Sequence, residues 1–420
     1  MPTFLVLTVG TGTAGPHSNL VLGLQNTLTI VSPDRYWLIP SASPDSTAVA
    51  DLVRELQPAG FEPWSPTEPY RCIERHDSIA HCRDTMAEVL RHVGTLSKKG
   101  DRLVVNPTSG TKQMSAGATL AALDLEADEI QFTVGERSDG VVRTGTERLE
   151  CFDPSEVFVS RDLRIAEELS AAGSHLAAHR LLARHSRAFQ LNALDLQIVA
   201  GSGNEKLKTL VRAHELATLT HCLHEWERQN YEAARQLAAR CNLPQAVPAR
   251  APLQALAEAA KSSKPHPVII SDFLATANLL HRRGDHETSL FLACKALEGG
   301  LRLRLMELTG LSDPYSLEII RSLPLRPDIL KRAEATSHDG ATTVLGLNQV
   351  VDILTGLSDP LATAYREDWR FAALVRLRNE YTHALRPIDS SDSQAFLDLV
   401  QNLFAAHLPL PAAAPRPALS

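Results

Sequence analysis

Over the first 150 residues the apolar positions change their period repeatedly. Phe4–Val9 is a short apolar run ending at Gly10, and Leu20, Val21, Leu24 and Leu28 then recur at helical spacing. Tyr36–Pro40 is apolar again, and Ala48–Leu56 reads as a helix stopped before Pro58. A weak strand over Arg71–Ile73 precedes a helix whose stripe is Ile79, Cys82, Met86, Val89, Val93 and Leu96. Leu103–Val105 is the next strand, followed by an Ala-rich helix over Thr111–Leu125 and a strand over Ile130–Val134. Ser138-Asp139-Gly140 reads as a hairpin turn into Val141–Arg143. Such alternation predicts an α/β domain, a mostly parallel sheet with helices on both faces. Ligands on such sheets bind beyond the carboxyl ends of the strands.

After about Pro154 the pattern turns helical. Residues 161–260 are rich in Ala, Leu and Arg with few β-branched side chains, and Gly201–Gly203, Asn242–Pro248 and Lys261–Pro267 supply the breaks. Gln229–Ala234 and Arg283–Thr288 look faintly alike, but no second fixed period supports a repeat array. A second helical block runs from Val268 to about His407, and the Pro/Ala-rich Leu408–Ser420 reads as disordered. The expected organisation is an α/β domain over 1–154, a helical linker domain over 155–265, an all-α domain over 266–407 and a tail over 408–420.

Composition narrows the function classes. At 420 residues, with 44% hydrophobic and 22% charged positions, the chain is globular and long enough for two to four domains. A net charge of −7 argues against a generally basic nucleic-acid coat protein, yet leaves room for a locally basic site. No apolar run approaches the ~18 residues that span a bilayer. The N-terminus has no basic segment and reads as a strand, not a signal peptide. Six cysteines without a CxxC pair fit reduced thiols and a cytoplasmic protein. Cys72, His76, His81 and Cys82 are the nearest approach to a metal cluster, but Cys82 falls on the apolar stripe of its helix, so core packing is expected and no metal.

Two loops directly follow expected strands: Val9-Gly10-Thr11-Gly12-Thr13, and Asn106-Pro107-Thr108-Ser109-Gly110-Thr111-Lys112-Gln113-Met114, which runs into a helix. Glycine turns let backbone N–H groups approach a ligand, and a helix N-terminus presents unpaired N–H groups with partial positive charge. Thr108, Ser109 and Thr111 add hydroxyls, and Lys112 a full charge. Neither loop matches a nucleotide fingerprint. Taken singly, each glycine permits a tight turn and Thr111 a helix cap; as a pair at one sheet's edge, the loops favour a phosphate-bearing ligand.

The sharpest chemical signal is Arg376-Leu377-Arg378-Asn379-Glu380-Tyr381-Thr382-His383. With Trp369–Leu385 helical, the apolar stripe is Phe371, Leu374, Val375 and Leu385, and Arg378 projects into its middle. A charge on an apolar face is costly unless it meets a partner or an anion. Asn379 and His383 are four residues apart and share a helix edge. Imidazole can take a 2′-hydroxyl proton near neutral pH, and guanidinium can hold two phosphate oxygens. A cation near a helix C-terminus can also merely complement the dipole.

The Asn106–Met114 stretch, with Gly10-Thr11-Gly12, resembles the CRISPR-associated Rossmann-like (CARF) domain. That resemblance implies a homodimer binding cyclic oligoadenylate, with Thr11, Gly12, Thr108, Ser109, Gly110, Thr111 and Lys112 lining the ligand. Arg378-Asn379-x3-His383 resembles the Arg-x4-6-His motif of HEPN ribonucleases. The segment Arg283–Asp285 with Ser289–Glu298 is similar to that domain's first long helices, although Lys295 stands where Arg is expected. Together the resemblances imply a CARF–HEPN ribonuclease of type III CRISPR systems, in which cyclic oligoadenylate activates metal-independent cleavage of single-stranded RNA. Arg378 would stabilise the transition state, Asn379 orient His383 or the phosphate, and His383 act as base, or as acid toward the leaving 5′-oxygen. Dimerisation would bring two motifs to one cleft, with Arg378 pointing at the partner.

Two rival expectations stand beside this one. The chain would be a non-catalytic nucleotide sensor with a pseudo-nuclease docking domain, or its sheet domain would degrade its own activator through the loop hydroxyls. A Rossmann-type oxidoreductase is disfavoured, since no Gly-x-Gly-x-x-Gly with an acidic ribose partner occurs.

Overall fold

The structure is a computed structural model and describes residues 2–11, 17–56, 72–98, 100–138, 141–143, 145–188, 205–262, 264–337, 339–384 and 387–417. The chain forms two compact units: residues 1–162 with 197–210, and residues 163–196 with 211–420.

In the first unit the elements run β1 (Thr3–Val9), α1 (His17–Val31), β2 (Arg35–Pro40), α2 (Pro44–Glu55), α3 (Ile79–Leu96), β3 (Arg102–Asn106), α4 (Lys112–Asp124), β4 (Glu129–Val134), β5 (Arg137–Ser138), β6 (Val141–Val142) and β7 (Arg148–Phe152). The five-stranded sheet has the order β2-β1-β3-β4-β7. Its first four strands are mutually parallel, and β7 is antiparallel to β4. Along β1 the side chains alternate between two cores, as the two-residue period of a strand requires. Phe4 and Val6 join Met86, Val89, Met114 and Ala118 of α3 and α4 on one face. Leu5, Leu7 and Val9 join Val21, Leu24, Leu28, Val49 and Val53 of α1 and α2 on the other. The sheet is therefore covered on both faces, as the alternating pattern anticipates. Cys82 is fully buried in the first of these cores, which confirms its packing role.

Ile73 makes a single parallel bridge to Ser41; Arg71 lies outside the described residues. The β5–β6 ribbon pairs antiparallel on either side of Asp139 and Gly140, which also lie outside them. Strand β7 had no counterpart in the sequence pattern.

The second unit is helical, apart from a short ribbon. Helices α5 (Ser155–Ala171) and α7 (Glu205–Glu227) each run from one unit's residues into the other's; α6 (His175–Ala188), α8 (Tyr231–Arg240) and α9 (Val247–Ala260) belong to the second. Then come α10 (Pro267–Arg282), α11 (His286–Thr309), β8 (Tyr315–Ser316), α12 (Leu317–Ser322), α13 (Pro327–Glu334), β9 (Thr342–Thr343), α14 (Leu347–Gly356), α15 (Pro360–Glu367), α16 (Trp369–Ala384) and α17 (Ser390–His407). The long helix α11 is the spine: Leu290, Leu292, Ala293, Leu297, Leu301 and Leu305 share one core with Phe371 of α16 and Phe396, Val400 and Phe404 of α17. Its start is capped by the Asp285 carboxylate, which accepts from Thr288 N at 3.1 Å. Arg302 of α11 donates to Tyr315 Oη at 2.7 Å and to the Leu345 carbonyl at 2.9 Å, fixing the β8–β9 ribbon.

The segment expected to be disordered is instead seated through residue 417. Ser271 Oγ donates to the Pro411 carbonyl at 2.8 Å, and Arg416 donates to Thr276 Oγ1 at 2.5 Å. The Arg416 guanidinium also lies 3.6 Å from Asp272, 3.7 Å from Glu227 and 5.1 Å from the Trp226 ring centroid. Asp272 accepts from Trp226 Nε1 and Tyr231 Oη, each at 3.0 Å, while Glu227 accepts from Arg283 at 2.6 Å and meets His175 at 3.1 Å. One arginine supplies the anchor that a composition reading cannot see. Buried carboxylates need a cation, and Arg416 is the tail's contribution.

Candidate functional sites

The loops after β1 and β3 meet because those strands are neighbours, with Leu7 opposite Asn106 in the register. Ser109 Oγ accepts from Gly10 N at 3.1 Å, tying one loop directly to the other. A Cβ on Gly10 would lie 2.6 Å from the Gly110 Cα, so the backbones touch. Gly110 itself has φ +130°, a conformation L side chains rarely adopt. Thr111 caps α4, accepting from Met114 N at 3.1 Å while donating to the His76 carbonyl at 2.8 Å. Lys112, exposed, opens that helix, where N–H groups and the helix dipole favour an anion.

Beneath the loop, Asn106 is buried and does two tasks. Its carbonyl oxygen accepts from Thr108 N at 3.1 Å, and its amide donates to Thr133 Oγ1 at 3.1 Å. Thr108 Oγ1 in turn accepts from Thr133 N at 2.7 Å. The hydroxyls of Thr108, Ser109 and Thr111 thus brace the loop as well as line it. Thr11 stands at the mouth, half-buried; Gly12 lies outside the described residues. Asn106 belongs to the motif yet lies beneath the residues expected to line the ligand. An Asn-Pro pair ending a strand is the signal that could have singled it out. Ser46 joins the neighbouring strand end, donating to the Val9 carbonyl at 2.7 Å and accepting from Ser41 N at 3.0 Å.

In the second unit, Arg378, Asn379 and His383 all lie on α16. Phe371 and Leu377 are buried, while Leu374, Val375 and Tyr381 pack against the core. Leu385 of the expected stripe lies outside the described residues, as does the side chain of His383. Arg378 is half-buried and meets, within its own chain, the Cys294 thiol of α11. Burial pushes that thiol up to about 11, with the hydrogen-bonding guanidinium pulling the other way. Three residues on, Tyr381 Oη donates to Glu287 Oε2 at 2.6 Å, and this hydrogen bond raises the phenol above its ordinary range. Two contacts therefore hold α16 along α11, and Asn379 is left exposed.

Glu298 pairs with Arg302 at 2.7 Å and not with Lys295. Lys295 Nζ lies over two aromatic rings instead, 4.9 Å from the Phe291 centroid and 5.9 Å from that of Phe273. Cys294 and Glu287 stand outside the residues that the Arg378–His383 motif names. They sit on the helix that is similar to a HEPN domain's first long helices, and the packing of α16 brings them to Tyr381 and Arg378. Among the described residues no group of three or more His, Cys, Asp or Glu side chains could hold a metal ion. Nor is any described helix long and apolar enough to cross a membrane.

No protein-family model matches the chain, and no curated protein matches it in sequence. Among solved structures, it is similar to the Enterococcus italicus Csm6 bound to cyclic hexa-2′-fluoro-hexa-dAMP, with a TM-score of 0.51 and 13% identity over 97% of this chain and 95% of that one. At that identity the likeness concerns the fold. The chain accordingly has a CARF–HEPN-like fold: an N-terminal Rossmann-like mixed α/β domain of CARF type, followed by a long all-α region consistent with a HEPN-like domain.

Proposed function

We propose that the protein is a cyclic-oligoadenylate-activated, metal-independent endoribonuclease of type III CRISPR immunity, acting in the cytoplasm as a homodimer on single-stranded RNA. The observation that carries this reading is the pairing, in one chain, of two abutting strand-end loops with an Arg378-Asn379-x3-His383 helix braced at Arg378 and Tyr381. A ring of phosphodiesters suits the first site, whose Thr11, Thr108, Ser109, Gly110, Thr111 and Lys112 offer backbone, hydroxyl and ammonium groups to dispersed charge; Gly12 completes the set by sequence. The division into 1–154, 155–265, 266–407 and 408–420 belongs to this proposal, with the 155–265 helices connecting sensor to nuclease.

In the second site, the imidazole of His383 takes the proton of a ribose 2′-hydroxyl, or delivers one to the departing oxygen. The 2′-oxygen attacks the adjacent phosphorus, and the P–O5′ bond breaks. Arg378 stabilises the charge gathering on the non-bridging oxygens, and Asn379 orients imidazole or phosphate. The products carry a 2′,3′-cyclic phosphate and a 5′-hydroxyl, with no net change in protons. Ligand acts by favouring the cleavage-competent geometry, and its leverage cannot exceed its differential affinity for the two states.

The test is incubation of labelled single-stranded RNA with EDTA, with and without cyclic tetra- or hexa-adenylate. Cleavage that appears with one of the rings, persists in EDTA and leaves cyclic-phosphate ends is the expected result. Absence of cleavage with every ring overturns the nuclease reading and leaves a sensor.

A further inference from the structure

We propose that Phe291, with Lys295, is a stacking platform for one base of the RNA strand beside the phosphate held at Arg378; this rests on the nuclease reading above. Helix α11 faces α16 through two contacts, Glu287 to Tyr381 and Cys294 to Arg378. Each residue turns an α-helix by about 100°. Phe291 therefore stands only about 40–60° round from that shared stripe, and about 4.5 Å along the axis from Cys294. It is at the edge of the seam where the candidate catalytic helix lies.

Phe291 is 45% exposed, although its helical neighbours Leu290, Leu292 and Ala293 are buried. A lone exposed phenylalanine is ordinary on a protein surface. This one carries an ammonium group over its ring, and the same ammonium lies 5.9 Å from the Phe273 centroid of α10. Lys295 is exposed and its Nζ makes none of the ion pairs found among the described residues, so its charge is available to a phosphate. Aromatic rings interleaved with positive charge are how proteins hold single-stranded nucleic acid without reading its sequence, because every base has a π-face. A base on Phe291 and its phosphate at Lys295 would continue the strand away from the guanidinium of Arg378. Arginine in place of Lys295, as the HEPN resemblance leads one to expect, would keep the charge.

The test uses the full chain and a fluorescent single-stranded 2′-O-methyl oligonucleotide, which binds but lacks the nucleophile. Anisotropy should show Phe291→Ala weakening binding by about 5- to 100-fold and Phe291→Trp retaining it. Lys295→Ala should weaken binding and flatten its salt dependence by about one phosphate contact. With cleavable RNA, Phe291→Ala should raise KM and leave kcat largely intact. Circular dichroism on each variant separates these effects from misfolding, with Phe291→Trp as the folded control.

Wild-type-like binding by Phe291→Ala overturns the platform, as does failure of the wild type to bind the oligonucleotide. Weakened binding that accompanies dissociation into smaller species in sedimentation also overturns it, and assigns the ring to an interface between copies. The two readings fail separately. Binding that depends on Phe291 without any cleavage sinks the nuclease and keeps the platform, whereas cleavage indifferent to Phe291 does the reverse.

Discussion

Gly10 and Gly110, a hundred residues apart, approach so closely that a Cβ on the first would stand 2.6 Å from the Cα of the second. The neighbouring atoms are backbone, fixed by β1, β3 and the Ser109–Gly10 hydrogen bond, and cannot swing aside. Gly10→Ala should therefore force the two loops apart. Overpacking of this kind costs about 1–3 kcal/mol, and thermal unfolding should record the loss. Calorimetry with cyclic oligoadenylate should show ligand affinity falling at least as far, since the variant displaces both halves of the cradle.

Lys112 opens α4 with its side chain exposed, so it can change without disturbing the core. Lys112→Ala should weaken ligand binding by about 10- to 100-fold, the usual worth of one hydrogen bond to a charged group. A dose–response of RNA cleavage should shift to higher ligand concentration by the same factor, with saturating ligand restoring the rate.

Arg378→Ala and His383→Ala should each lower RNA cleavage by about two to four orders of magnitude, the range for loss of acid–base help or a charge-stabilising donor. Cyclic-oligoadenylate binding should be unchanged in both. Arg378→Lys should recover little, because an ammonium cannot span two phosphate oxygens. Single-turnover rates measure the effect, and undiminished rates in either alanine variant would remove the proposed site.

Glu227 gives the second unit a dependence on pH. Burial pushes its carboxyl up, but the hydrogen bonds and charges of His175 and Arg283 outweigh this and hold it below its ordinary value of 4.5. A depressed folded pKa stabilises the fold fully above the ordinary value, and the contribution disappears as pH falls through the folded value. Asp272 runs the opposite way, raised by burial against the pull of Arg416, so its proton favours the fold at low pH. Glu227→Gln should thus be less stable than the wild type near neutrality, with the gap closing as pH falls below about 4.5. Denaturant unfolding across that range reads it directly.

The sheet was legible because its strands are short apolar runs separated by helical stripes, a pattern set by local burial. Strand β7 was not, since four of its five residues are exposed and an edge strand carries no apolar signature. The loop motif and the Arg378–His383 helix were legible as residue order. What each side chain touches was not: Glu287 lies 94 residues before Tyr381, and Cys294 lies 84 before Arg378. The tail shows the limit most plainly. Pro and Ala enrichment describes Leu408–Ser420 correctly as composition, yet Arg416 finds Asp272, Glu227 and Thr276 across more than 130 residues, a relation no window of sequence contains.

That distant anchorage bears on how the polypeptide matures. Until residue 416 has left the ribosome, the carboxylates of Asp272 and Glu227 lack one of their counter-charges, even though α7, α8 and α10 are long since synthesised. A nascent chain that has not yet released residue 416 would hold these three helices in a looser, more hydrated arrangement around the two carboxylates.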